Sequence, residues 1–203
     1  MSEVPRPLIL ASSSPRRRRL LEDAGFEFEI RAPRIREALR EGETPVLLAQ
    51  RLAREKAHAI AARESEGACV LAADTVVVLD DALLGKPRSG SEAVEMLLRL
   101  AGRVHSVWTG WAIVIGGDPR VQAGVVESRV EMRELRPDEA HAYVATGEPL
   151  DKAGSYALQG IGGRFVAHVE GSRSNVIGLP LEVVCARLEA LGVARSRARH
   201  AVG

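Results

Sequence analysis

Five short segments carry residue types whose spacing could do chemistry. The first is Ser12-Ser13-Ser14-Pro15-Arg16-Arg17. Serine hydroxyls, arginine forks and the free N–H groups of a helix start converge there, a combination that takes anions and phosphate above all. The run is not a Walker A loop, so nothing supports a P-loop ATPase. A capped helix with a solvated arginine face is the plainer alternative. The second segment is Arg54-Glu55-Lys56-Ala57, inside a helical apolar pattern, where the simplest reading of Lys56 is a surface residue in i,i+4 pairs. The third is Ala72-Ala73-Asp74-Thr75. An ionised aspartate among apolar residues is costly to bury unless paired or metal-bound, and Asp74 falls where one apolar run ends, the usual place for catalytic groups in α/β sheets. The fourth is Gly85-Lys86-Pro87, which presents a lysine on a rigid turn; the alternative is a solvated turn lysine. The fifth is GEPLDKAGSYALQGIGG, from Gly147 to Gly163, a shaped loop carrying Asp151, Lys152, Tyr156 and Gln159. A buried Gln159 amide, donor and acceptor at once, suits a nucleobase edge; a surface glutamine on a structural loop is the alternative.

Composition narrows what such groups serve. The 203 residues, 46% of them hydrophobic, suffice for a real core and predict one domain over 1–203, with room for two lobes around a cleft. Aromatics are 3%, so the core is aliphatic. The 28 basic and 27 acidic residues nearly cancel, which argues against a general nucleic-acid coat. Of the basic residues only Lys56, Lys86 and Lys152 are lysine. Cys69 and Cys185 lie far apart in apolar stretches and read as buried thiols in a reducing compartment. No window approaches the roughly 18 uncharged apolar residues of a membrane helix, so a cytoplasmic protein without membrane contact is expected. The histidines at 58, 105, 141, 168 and 200 show no ligand spacing and read as structural or surface residues.

The positioning elements follow from capping and periodicity. PLILA predicts a short buried strand; Ser14 caps a helix with Pro15 at its first position and Gly25 beyond its end. FEFEI (26–30) predicts a half-buried strand. Thr44-Pro45 opens a helix expected to end near Gly67. Residues 68–80 read as two apolar runs flanking Asp74-Thr75, and Asp80-Asp81 marks a turn. Ser91 caps a further helix closed by Gly102. Residues 104–115 and 121–135 form a β-hairpin across Gly116–Pro119. Trp108 and Trp111, three apart on it, point to opposite faces and pack in a core or interface. Pro137 opens a helix running through Tyr143 to Gly147, FVAHVEG is a strand and turn, and Pro180 opens a last helix to Leu191 before an Arg-rich, frayed tail from Arg195. The class is α/β: a mixed, partly antiparallel twisted sheet flanked by helices around a central cleft.

In this order the motifs LASSSPRR, LAREKA, AADT, GKP, SVWTG, GEPLDKAGSYALQG and NVIGLPL, with Glu37 after FEFEI, resemble the Maf family of nucleotide pyrophosphatases, over roughly residues 8–181. The resemblance implies a Maf/ITPase-like fold and a divalent-metal-dependent hydrolase (Mg²⁺ or Mn²⁺) that cuts a nucleoside triphosphate between its α and β phosphates. It makes Asp74 the general base, and Arg16, Thr75 and Gln159 the positions that sort substrates. The DKAGSYALQG form with ADT resembles the branch acting on dTTP and UTP; a sister branch acts on methylated guanine nucleotides. One departure stands out: family members often carry two consecutive acids after the FEFEI-like strand, and here the first is Arg36. A homodimer is also expected from the resemblance.

Charge arithmetic supplies the expected mechanism. A triphosphate must be neutralised before water attacks. Glu37 and Asp74 are the candidate metal carboxylates, Lys56, Lys86, Arg16 and Arg17 the remaining positive charge, and Ser12–Ser14 the phosphate cradle. Two other classes remain to be weighed. One is a nucleotide-binding regulator of division and septum formation with little catalysis. The other is a nucleic-acid binder using Arg16–Arg19 and Arg195–Arg199, against which stand the near-neutral charge and the lack of aromatic stacking platforms.

Overall fold

A strand with no polar face must be covered on both sides, and Cys69–Leu79 is one: it forms β3, at the heart of a seven-stranded mixed sheet. The computed structural model describes residues 5–196. In chain order the elements are β1 (Leu8–Leu10), α1 (Pro15–Asp23), β2 (Glu29–Ile30), α2 (Pro45–Ala61), β3, β4 (Ala82–Leu84), α3 (Gly90–Leu100), β5 (Val104–Ile115), β6 (Val121–Met132), α4 (Pro137–Val144), β7 (Val166–Glu170), α5 (Arg173–Ile177) and α6 (Leu181–Ala190). Three 3-10 turns between α4 and β7 shape the glycine-rich stretch. Strand order is β2-β1-β3-β5-β6-β7, with β4 also on β3. β1 runs parallel to β2 and β3, and the other pairings are antiparallel.

Pairing along β3 explains where a cleft can form. β5 lines one flank of β3 from Cys69 to Val78. On the other flank β1 covers only Cys69–Leu71, and β4 only Val77–Leu79. Residues Ala72–Val76 therefore have a neighbouring strand on one side alone, and the gap lies where β1 ends and the serine loop begins. Val70, Ala72 and Val76 face α2, whereas Cys69, Leu71 and Ala73 face α1 and α6. The second half of β3 packs through Val77 and Leu79 on α3 and α4.

Small residues bring α2 unusually close to the sheet. Ala49, Ala53 and Ala57 of α2 are fully buried, Ala49 against Val76 and the other two against Ala72 and Ala112. At Gly110 of β5, the register partner of Asp74, an added Cβ would lie 2.3 Å from the Ala49 carbonyl oxygen. No side chain fits at that crossing.

The caps at Ser14 and Thr44 form as expected, each hydroxyl accepting from the backbone N–H three residues on. Several boundaries differ from expectation. Asp74 does not end an apolar run; it sits mid-strand in a continuous β3, exposed by the missing neighbour rather than by a strand terminus. Only Glu29–Ile30 of FEFEI pairs, because β1 is three residues long, and Phe26 instead turns into the core and bridges Arg195. α2 stops at Ala61, where its apolar stripe gives way to Arg63-Glu64-Ser65-Glu66. Ser89 rather than Ser91 caps α3: its hydroxyl accepts from Glu92 N–H at 3.2 Å while Ser91 bonds the Ser89 hydroxyl. β6 ends at Met132 and α4 at Val144, both short of the expected ends. Arg195 is tied down, with Nε 2.6 Å from Glu189 Oε1 and its guanidinium over the Phe26 ring; residues 197–203 of the expected frayed tail lie outside the described residues. Both cysteines are free and buried, and Trp111 and Trp108 pack on opposite faces of the sheet. Among the described residues no helix is long and apolar enough to cross a membrane.

Candidate active site

The gap beside Ala72–Val76 opens into a cleft of about 490 Å³, and all ten residues singled out from the sequence line it: Ser12, Ser14, Arg16, Arg17, Glu37, Lys56, Asp74, Thr75, Lys86 and Gln159. So do all three lysines of the chain, since Lys152 joins them.

Asp74 and Lys56 form the floor. Alternation along β3 points the Asp74 carboxylate at α2, and the close approach at Gly110 lets Lys56, two turns beyond Ala49, reach it. Lys56 Nζ donates to Asp74 Oδ1 at 2.6 Å and lies 2.6 Å from Glu37 Oε1. The local helical pattern alone makes Lys56 a surface residue, but only 6% of it is exposed, with its charge matched by two carboxylates in the cleft where the resemblance puts it. Burial alone would raise the Glu37 carboxyl. The hydrogen bond and charge of Lys56, with the charges of Lys86 and Arg17, bring it below the ordinary carboxylate value. Glu37 rides on the loop between β2 and α2. Arg51 ties that loop down by donating to the Ala38 carbonyl at 2.9 Å and to both Glu43 oxygens at 2.6 and 2.7 Å.

One wall is the serine loop and the start of α1. Ser12 Oγ accepts from Ser14 N–H at 3.1 Å, which curls the loop so that the helix start faces the cleft. The two arginines that follow diverge. Arg17 is committed to the protein: Nε donates to the Gly178 carbonyl at 2.8 Å and Nη2 to Thr75 Oγ1 at 3.1 Å. Among the described residues Arg16 has only a long contact to Asp151, 3.9 Å, and it lines the cleft. Thr109 donates to the Asn175 carbonyl at 3.0 Å, so Thr75 donates to Thr109 and accepts from Arg17. Thr75 lies on the face of β3 opposite Asp74, and the missing neighbour strand lets both reach one cleft.

The far rim carries Lys86 and the loop from Asp151 to Gln159. Lys86 is exposed, and Lys152 is held by the Glu148 carbonyl at 2.6 Å. Gln159 is exposed rather than buried as expected, since it stands at a loop apex facing an open cleft. Three participants escaped sequence reasoning. Arg51 reads as an ordinary helix arginine. Gly110 and Asn175 lie in SVWTG and NVIGLPL, whose match gave no role. Asn175, fully buried, donates to the Val107 carbonyl and to Ser128 Oγ at 3.0 Å each, pinning α5 beneath Arg17 and Thr75.

Five cations and three carboxylates around one opening leave a net positive bowl with an aspartate at its base. Such an arrangement neutralises a polyanion and offers a proton acceptor beneath it. Sheet and cleft together define a mixed α/β protein with a positively charged cleft at the unpaired edge of its central strand. The family model described as Maf-like protein matches residues 7–191, and the chain belongs to that family. It is 51% identical over 186 residues to a dTTP/UTP pyrophosphatase of Myxococcus xanthus (strain DK1622), covering 92% of this chain and 93% of that one. It is 47% identical over 188 residues to a dTTP/UTP pyrophosphatase of Desulfotalea psychrophila (strain LSv54 / DSM 12343), covering 93% and 96%. A HAM1 protein from Coxiella burnetii shares the fold, with a TM-score of 0.51 at 18% identity over 91% of this chain and 99% of that one.

Proposed function

We propose that the protein hydrolyses nucleoside triphosphates between the α and β phosphates, with dTTP and UTP as its substrates. The carrying observation is the convergence of Lys56, Lys86, Lys152 and Arg16 on one cleft over the Asp74 carboxylate. Relatives near 50% identity that carry the name dTTP/UTP pyrophosphatase supply the substrate class.

In this reading the Ser12–Ser14 loop and the start of α1 cradle phosphate, and Arg16, Lys86 and Lys152 offset its charge. Asp74 accepts the proton of the attacking water. Lys56 holds that carboxylate in place and limits the cost of keeping it ionised while nearly buried. Arg17 and Thr75 fix the wall against which the sugar and base lie, and Gln159 meets the base.

The donor set also fits a hard divalent cation. Glu37 and Asp74 both touch one ammonium at 2.6 Å, so their oxygens stand no farther apart than twice that distance. Mg²⁺ characteristically takes one or two carboxylates and fills its shell with phosphate oxygens and water. Among the described residues no cluster of three or more His, Cys, Asp or Glu is present. Glu37 and Asp74 would hold the ion, and bound there it would acidify the attacking water and offset phosphate charge.

Pyrophosphate release from a panel of triphosphates with Mg²⁺ or Mn²⁺ tests the assignment. UTP and dTTP should be cut in preference to CTP, whose missing N3–H leaves the Gln159 amide mismatched. Asp74→Asn should lower turnover by about 10²–10⁴. Near-normal turnover in that variant would reject the role of Asp74.

A further inference from the structure

Among the described residues the Gln159 side chain finds no hydrogen-bond partner, yet the backbone on both sides of it is fastened to one point. The carboxylate of Glu148 accepts three hydrogen bonds: Oε1 from the Tyr143 hydroxyl at 2.7 Å and from Gly162 N–H at 3.1 Å, Oε2 from Ile161 N–H at 3.0 Å. The same Tyr143 oxygen accepts from Ala157 N–H at 3.3 Å. The amides two residues before Gln159, and two and three residues after it, therefore all end on the Tyr143–Glu148 pair.

Two glycines show that this approach is specified by sequence. A Cβ at Gly160 would lie 2.4 Å from Glu148 Oε2, and one at Gly162 2.4 Å from the Tyr143 hydroxyl oxygen. The pair is rigid in turn: Tyr143 is fully buried on α4, edge-on to the fully buried Phe165 at 5.1 Å between ring centres. The main-chain carbonyl of Glu148 holds Lys152 at 2.6 Å, so one residue fastens both the lysine and the glutamine of this rim.

We propose that Tyr143 and Glu148 are positioning residues that act through Gln159 and thereby set base discrimination, without touching the substrate. This rests on the base-reading role of Gln159 given under Proposed function. A short glutamine on an irregular loop discriminates only if its amide is held to a fraction of an ångström, and the clamp removes the loop motion that would let either base orientation bind. Asp74, Lys56 and the serine loop, on β3, α2 and the start of α1, lie outside the clamp, and Lys152 is held by the Glu148 main-chain carbonyl, which side-chain substitutions at Tyr143 and Glu148 keep. Loosening the clamp should therefore change selectivity and KM rather than the chemical step.

Tyr143→Phe tests this with the least disturbance, since the ring and its contact with Phe165 remain and only the hydroxyl is lost; Glu148→Ala is the stronger variant. kcat and KM are measured for UTP and CTP in the wild type, Tyr143→Phe, Glu148→Ala, Gln159→Ala and the Tyr143→Phe/Gln159→Ala double variant. The UTP:CTP ratio of kcat/KM should fall about tenfold in Tyr143→Phe through KM, with kcat for UTP within a factor of about two. The double variant should discriminate no worse than Gln159→Ala alone, because the two substitutions remove one interaction. Amide exchange at Ala157, Ile161 and Gly162 should quicken in Tyr143→Phe, which shows the clamp opening in a folded protein. An unchanged ratio in both clamp variants beside a collapsed one in Gln159→Ala overturns this proposal alone. An unchanged ratio in Gln159→Ala overturns the base-reading role and the proposal with it.

Discussion

Replacing Gly110 with alanine adds one methyl group and touches no residue of the cleft, yet it should disable the site. The new Cβ would stand 2.3 Å from the Ala49 carbonyl oxygen, 2.5 Å from its carbon and 2.8 Å from Gln50 N, all backbone of α2. Ordinary contact begins near 3.5 Å, so the helix must retreat by about 1 Å; a backbone crossing has no flexible tip that can swing aside. Lys56 lies seven residues beyond Ala49, roughly 10 Å along the same rigid helix, and moves with it. Both of its 2.6 Å contacts, to Asp74 and to Glu37, then lengthen together. Overpacking of this kind costs about 1–3 kcal/mol of stability, which a domain of ordinary stability survives. A 1 Å displacement of a catalytic group can cost about 10²-fold in rate, so kcat/KM for pyrophosphate release should fall by that order at a temperature where urea unfolding shows the variant folded. The reasoning is refuted by unchanged kcat/KM in the folded variant. It is equally refuted by a loss of activity that merely tracks the unfolded fraction.

Two further expectations concern single side chains. Burial pushes His105, whose Nε2 is 2.8 Å from the Tyr156 hydroxyl, down from 6.5 to about 4. The unfolded chain therefore binds a proton that the folded one refuses. The stabilisation is complete above pH 6.5 and lost as pH falls toward 4, a change of about 3 kcal/mol. His105→Gln should flatten the slope of Tm against pH in that window, and an identical slope would count against it. Lys56→Arg keeps the charge but puts a broad planar fork where one ammonium bridges two carboxylates; kcat/KM should fall about 10²-fold, and wild-type turnover would show that any cation suffices.

Much of this was legible in the chain, and the misses share a cause. The caps at Ser14 and Thr44, the hairpin across Gly116–Pro119 and the β-strand character on both sides of Asp74 depend on near neighbours in sequence, and they appear where local rules put them. What stayed hidden depends on partners remote in the chain. Nothing local says that β1 ends after three residues, so the truncation of FEFEI and the unpaired edge beside Asp74 could not be foreseen. Lys56 enters the site through the resemblance alone, because its own helix gives no hint of a glycine on β5 drawing that helix inward. Nothing near Arg17 in sequence announces that two of its donors go to Gly178 and Thr75. Asn175 and the Tyr143–Glu148 pair act through backbone groups far away in sequence, which residue type alone does not announce.

The composition nevertheless held a signal about the site itself. Arginine serves nearly every cationic purpose in this chain: the i,i+4 pairs of Arg18 with Glu22 and Arg19 with Asp23, the clamp of Arg51 on Glu43, and the stacking of Arg133 and Arg164 on Phe165. Each of these uses what a guanidinium offers, a planar fork or a flat face. Lysine is reserved for three positions, and all of them line the cleft. A compact ammonium concentrates charge at one point, fits between two carboxylates or two phosphate oxygens, and rotates its three donors freely. In a background so rich in arginine, a lysine marks a place where a fork would be too wide. That physical distinction ties the three scattered lysines to one ligand more firmly than any of their local sequence contexts does.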